Sequence, residues 1–270
     1  MEFDVREKVL LEAYLPGVNL ISEPDRTPDI TIEHEQSESK KLIQDKNRVL
    51  ISDTWKKEFP SDFYHLLYSI ARLEFIKHNL FPVHAACVGK DDYILVVGHT
   101  GVGKTSVVLE LLKNKNLLLF SGNKTVVSFK LNGDMEAIAG TKTITASHKD
   151  IERHLGDKTE IVQYGNRTAL LLDNNTDKSG RIRAIVLVSL NDGVSENNLI
   201  ESTSALHRLY AYFLDTVNAD TVFGENVYVG TPLLWTQEKL AQNLKEALSK
   251  IPAYSIKGSI DFVCDSITKL

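Results

Sequence analysis

The chain has 270 residues, with 31 Lys+Arg against 36 Asp+Glu for a net charge of −5, 43% apolar residues and 25% charged residues. This is the balance of an ordinary globular protein; it excludes collagen-like and disordered classes and lacks the basic excess of a dedicated nucleic-acid binder. Cys87 and Cys264 stand far apart with no C-x-x-C pairing, which fits a reducing compartment and two small core residues better than a disulfide scaffold or a zinc site.

Met1-Glu2-Phe3-Asp4 has neither the basic nor the apolar region of a secretory signal. The longest apolar runs, such as 94–97 and 184–188, fall far short of the roughly 20 residues a spanning helix needs. A cytoplasmic protein without a membrane span is the expectation.

Residues 1–53 mix short apolar runs with Pro16-Gly17, Pro24, Pro28 and a charged stretch, and predict short strands and turns. Pro60-Ser61-Asp62 opens a helix that carries Phe63, Leu66, Leu67, Ile70, Ala71 and Phe75 at helical spacing. Runs at 82–88 and 93–97, separated by the polar turn 89–92, predict a β-hairpin. A helix over 106–112 follows, then strands at 117–120, 125–130 and 135–139, the last two joined by Asn132-Gly133-Asp134. Further strands are expected at 168–172 and 182–190. Leu206, Leu209, Tyr210, Phe213 and Leu214 keep the i, i+3, i+4, i+7, i+8 rule, as does the looser series Leu240, Leu244 and Leu248, and 260–267 reads as a last helix. No internal repeat or flexible linker is visible. The expected organisation is an N-terminal extension over 1–80 and one α/β core over 81–270.

Within that core, Gly98-His99-Thr100-Gly101-Val102-Gly103-Lys104-Thr105 matches G-x-x-x-x-G-K-[ST] in full, between a strand-like and a helix-like run. Glycines there let backbone N–H groups turn inward on a phosphate, and the following helix, beginning at Ser106, adds the positive end of its dipole. Lys104 is the residue type for β- and γ-phosphates, and Thr105 for Mg²⁺ brought in with the nucleotide. The motif specifies nucleotide binding and not a reaction. Asn123-Lys124-Thr125-Val126 lacks the final acid of a guanine-reading N-K-x-D and follows the loop too closely, so a GTPase is rejected. Asp173, after the apolar run 169–172, has the form of a metal-holding carboxylate, or of a turn residue ending a strand. Arg181 and Arg183 alternate onto one strand face, either to grip an anion or to meet solvent. His207, Arg208, Tyr210, Tyr212 and Phe213 read as core and face residues of a helix.

The segment Val83-His84-Ala85-Ala86-Cys87-Val88, the strand 93–97 and the loop together resemble the HPr kinase/phosphorylase-like family, whose fold is related to that of phosphoenolpyruvate carboxykinase. The likeness runs from about 81 to 112 and continues more thinly through 181–190 and 204–214. It implies a P-loop core with a mixed sheet, dependence on ATP and Mg²⁺, and transfer of phosphate to a hydroxyl of a small protein, a peptide or a small molecule. His84 falls on the family's His. Where the family has an Asp pair, one of them the base, this chain has Ser121-Gly122-Asn123, and the family's Glu-x-Arg-Gly segment corresponds to Ala139-Gly140-Thr141-Lys142-Thr143.

Phosphoryl transfer depends more on positioning and charge neutralisation than on proton removal, so the replaced acids lower the rate without forbidding the reaction. Asn123 is a candidate to orient a hydroxyl, Lys142 to neutralise the transferring group, His84 to lie near the γ-phosphate, and Asp173 to serve as the remaining carboxylate. The expected function is an ATP/Mg²⁺-dependent kinase. The alternatives are a nucleotide-binding regulator or pseudokinase, and an ATPase that drives a conformational change. The acceptor, the choice between ATP and GTP, and assembly into a homo-oligomer are left open.

Overall fold

A computed structural model describes residues 5–18, 30–45, 48–53, 61–147, 160–164, 167–172, 175–217, 220–228 and 234–270. Among them the helices are α1 (Val5–Tyr14), α2 (Ser61–Lys77), α3 (Lys104–Asn114), α4 (Ser202–Val217), α5 (Leu234–Leu248) and α6 (Ile260–Thr268). The strands of the N-terminal part are β1 (Thr31–Gln36), β2 (Lys41–Asp45) and β3 (Arg48–Asp53). Around the loop and beyond it run β4 (Leu80–Val83), β5 (Ala85–Gly89), β6 (Tyr93–Val97), β7 (Leu118–Ser121), β8 (Thr125–Phe129), β9 (Met135–Gly140) and β10 (Thr143–Ala146). The remainder are β11 (Glu160–Tyr164), β12 (Arg167–Leu171), β13 (Gly180–Leu190), β14 (Glu196–Ile200), β15 (Thr221–Phe223), β16 (Asn226–Tyr228) and β17 (Ala253–Gly258).

A nine-stranded mixed sheet organises the molecule. Its centre is β6, whose sequence Tyr93-Ile94-Leu95-Val96-Val97 is buried at every position, the continuous apolar run of a strand covered on both faces. Tyr93, Leu95 and Val97 pack with Leu209, Phe213, Leu240 and Leu244, while Ile94 and Val96 pack with Val107, Leu111, Val263 and Ile267. The period-two alternation of one strand thus puts α4 and α5 on one face of the sheet and α3 and α6 on the other. β13 pairs in parallel with β6 along one edge and with β17 along the other, and β14 pairs antiparallel beyond β17. On the other side of β6, β5 and then β7 follow antiparallel. The first residues of β13 pair with β9, which continues through β8 to β4. No described helix is long and apolar enough to cross a membrane. Both cysteines are buried and free, as expected of core residues.

The α/β class and most expected elements agree with this architecture. The 89–92 turn does make a hairpin, with Gly89 opposite Tyr93 and Ala85 opposite Val97. The single strand expected over 82–88 is two, because the chain bends at His84: Val83 pairs with Thr125 of β8, and Ala85 already belongs to the β6 ladder. The N-terminal stretch expected as strands and turns opens with a helix instead. α1 shows no single apolar stripe because it is buried on two sides, Val9 and Ala13 against Ala169, Leu10 and Leu11 against Tyr64. β17 was not expected; its alternating polar residues are tolerated because β13 and β14 satisfy its backbone on both edges.

Candidate functional site

The turn between β6 and α3 carries 98–105. Gly101 and Gly103 adopt φ of 85° and 92°, the left-handed region that glycine enters without steric cost. A Cβ on Gly103 would lie 2.3 Å from Leu190 Cδ1, and the Leu190 N–H donates to the Val102 carbonyl at 2.9 Å, so the end of β13 holds the loop's shape. Among the described residues, the N–H groups of Gly101, Gly103, Lys104 and Thr105 have no protein acceptor. Backbone donors left without a partner at a helix N-terminus are groups that an anion can engage. Thr105 and Ser106 stand in the first turn of α3.

Lys104 is 9% exposed, and its Nζ reaches one protein acceptor, the His84 carbonyl, at 3.5 Å. Burial lowers its pKa to about 8. An ammonium has three donors, so this one retains capacity for an anion. His84, exposed only in part at the β4/β5 bend, is pushed down to about 4, by burial first and then by the nearby Lys104 and Lys124 charges; Asp215 and the Asn123 side chain, its hydrogen-bond partner, oppose this. It is therefore a neutral imidazole at neutral pH. Asn123 sits in the β7–β8 turn, held by its N–H donating to Thr141 Oγ1 at 3.1 Å. Gly122 packs so tightly on the Thr143 carbonyl that a Cβ there would lie 2.0 Å from that oxygen. Lys104, His84 and Asn123 are thus brought together.

Sequence reasoning missed four neighbours. Lys124 Nζ donates to the Tyr14 carbonyl at 3.0 Å and lies 4.0 Å from the Tyr68 ring centroid and 4.7 Å from that of Tyr14. Burial first, then Arg72, lowers its pKa to about 7. Arg72 is 8% exposed; Nη1 donates to the Thr216 carbonyl, Nη2 to Ser69 Oγ, and its guanidinium lies 5.0 Å from the Tyr68 centroid. Burial lowers the pKa of Arg72 and raises that of Tyr68. Asp215, exposed on α4, is the described carboxylate whose charge registers at His84, Arg72 and Tyr68. The only advance signal was Lys124 adjoining Asn123; Arg72 and Tyr68 carry no motif in the sequence.

The remaining candidates make contacts of their own. Lys142 pairs with Asp177 at 2.9 Å, so its charge is already matched. Arg181 and Arg183 lie at the end of β13 opposite the loop, where Ile182 pairs with Tyr93, the residue of β6 farthest from Gly98. His99, inside the loop, packs on Tyr212 with centroids 4.9 Å apart. Asp173 lies outside the described residues. Among those described, no group of three His, Cys, Asp or Glu side chains forms a metal cage.

No family model matches the chain and no curated protein matches it. Among solved structures, the HPr(Ser) kinase/phosphatase from Coxiella burnetii is similar at 10% identity, over 70% of this chain and 88% of that one, with a TM-score of 0.33. A likeness of that size assigns neither family nor activity, so the functional reading stands on the site's own residues.

Proposed function

We propose that the chain binds ATP with Mg²⁺ at 98–105 and transfers the γ-phosphate to a hydroxyl. One observation carries the reading: the unpartnered amides of Gly101, Gly103, Lys104 and Thr105 beside a buried lysine with a single long contact. This donor set fits a triphosphate, because amides and ammonium both seek anionic oxygens. Thr105 is the residue that would hold Mg²⁺, with Asp173 proposed as its carboxylate partner. The metal, when bound, supplies charge neutralisation on the β- and γ-phosphates.

In the proposed step the acceptor oxygen forms a bond to the γ-phosphorus while the bond from that phosphorus to the β–γ bridging oxygen breaks. ADP leaves with that electron pair, and the hydroxyl proton passes to solvent water. Lys104 follows the phosphate oxygens; neutral His84, hydrogen-bonded to Asn123, stands near the transferring group and holds that amide; Asn123 aligns the acceptor. At a pKa of about 4, His84 is a weak base at neutral pH, which favours positioning over proton abstraction as its role.

That weakness also supports a second reading, a nucleotide-binding regulator without transfer. Incubation with γ-labelled ATP, Mg²⁺ and pools of hydroxyl-bearing peptides and metabolites separates the two. Label on an acceptor is the expected result. Label on phosphate alone indicates an ATPase, and label nowhere, with nucleotide bound, indicates the regulator.

A further inference from the structure

Two ammonium groups flank His84, and only one of them belongs to the phosphate loop. Lys124 offers three N–H donors; the Tyr14 carbonyl takes one, and its other neighbours are aromatic faces, which attract a cation but accept no conventional hydrogen bond. Arg72 adds a second positive charge at the Tyr68 ring, and its Nε and the Tyr68 hydroxyl are both buried without a partner. Among the described residues no carboxylate lies within ion-pair distance of Lys104, Lys124 or Arg72. Asp215 acts at longer range on His84, Tyr68 and Arg72, and Asp220 on Arg72. Placing charges this close in a poorly hydrated site is unfavourable without an anion to receive them.

We propose that Lys124, with Arg72 and Tyr68 behind it, forms a second anion subsite next to the phosphate loop, and that the phosphate acceptor is a small alcohol carrying a carboxylate or phosphate group. This rests on the phosphotransfer reading for the word acceptor, but not for the subsite. The positions suit it: Lys104 lies on the nucleotide side of His84, and Lys124 follows Asn123, the residue proposed to align the hydroxyl. The end of α1 bounds the subsite on one side, which suits a small acceptor. Tyr14 covers Lys124, and three residues later the Gly17 N–H donates to the Gly140 carbonyl at 3.0 Å, with Gly17 packed against Ala139. The depressed pKa of Lys124 agrees, since a bound anion restores the ammonium to full charge.

The test titrates the full chain, saturated with Mg²⁺ and a non-hydrolysable ATP analogue, with glycerol 3-phosphate, with glycerate and with uncharged glycerol, by calorimetry. Either or both anions bind and glycerol does not; which anion binds separates a phosphate from a carboxylate subsite. Lys124→Met weakens anion binding about tenfold or more, the effect of losing one charge-assisted hydrogen bond, with analogue affinity unchanged. Lys124→Arg restores it, which a strut holding α1 alone would not predict. If Lys124→Met does not fold, Lys124→Gln gives the same readout, and the parent titration stands by itself. The subsite is overturned if neither anion binds, if glycerol binds as well, or if the folded neutral variant binds the anions like the parent. Anion binding that needs Lys124, in a protein that binds no analogue, keeps the subsite and removes the nucleotide reading; analogue binding without anion binding does the reverse.

Discussion

The Leu190 side chain occupies the space that a Cβ on Gly103 would need, 2.3 Å from its Cδ1, while the Leu190 N–H donates to Val102 at 2.9 Å. The last residue of β13 therefore fixes a turn whose amides face no protein acceptor. Gly103→Ala combines a left-handed conformation, costing about 1–2 kcal/mol for a residue with a side chain, with displacement of Leu190. The expected outcome is a melting temperature lower by on the order of 5 °C and nucleotide affinity down at least about tenfold. Gly101→Ala, whose Cβ would meet open space, should pay only the conformational part. Melting and calorimetry on both variants check the ordering; equal effects would contradict a loop shaped by Leu190.

Lys104→Met removes a buried charge and keeps most of the apolar stem. Triphosphate affinity should fall at least about a hundredfold while the unliganded protein melts no lower than the parent, because the lost ammonium was poorly compensated. Equal nucleotide affinity in folded mutant and parent would remove the phosphate-loop assignment.

Lys104 and Lys124 also predict a pH dependence. Their folded pKa values of about 8 and about 7 lie below the ordinary 10.5, so between these limits the unfolded chain binds more protons than the folded one. Stability then rises with pH from about 7 to about 10. Comparing melting temperatures from pH 6.5 to 9.5, the parent should gain more than Lys104→Met. Bound triphosphate should flatten the parent's rise by holding Lys104 charged at both ends. A parent and a variant with the same slope would mean that Lys104 is well solvated.

What could be read in advance was local. The loop is eight consecutive residues whose backbone needs are written in their glycines, and α4 shows its stripe because Leu209 and Phe213 face one core. The bend at His84 was not legible, since Val83 and Ala85 are equally apolar and only their different pairing partners divide the strand. Nor was the Lys124, Tyr68 and Arg72 cluster, which joins a turn to a helix some fifty residues earlier through tertiary packing. α1 was misread because burial on two sides erases the stripe that marks a surface helix.

The metal assignment predicts a difference between nucleotides. If Mg²⁺ held near Thr105 neutralises the γ-phosphate, chelation should weaken triphosphate binding much more than diphosphate binding. Thr105→Val should reduce that difference. Metal-independent binding of both nucleotides would leave recognition to the loop amides and Lys104.

His84 and Asn123 provide the test of how transfer is assisted. With its pKa near 4, His84 stays neutral across pH 5.5–8, so no rising limb of turnover in that range should belong to it. His84→Gln keeps a neutral hydrogen-bonding side chain and should retain turnover within about tenfold, whereas a variant of a true base would lose far more. Asn123→Ala removes the partner of the imidazole and the proposed aligner of the acceptor. It should lower turnover about tenfold with nucleotide affinity nearly unchanged, the pattern of an interaction made mainly in the transition state. Acids placed at Gly122 and Asn123 need not increase the rate, because any side chain on Gly122 collides with the Thr143 carbonyl. The measurement is single-turnover transfer to an identified acceptor, with nucleotide affinity determined in parallel. Were Asn123→Ala to transfer as fast as the parent while His84→Gln was inactive, proton abstraction by the imidazole would replace positioning as the contribution of this side of the site.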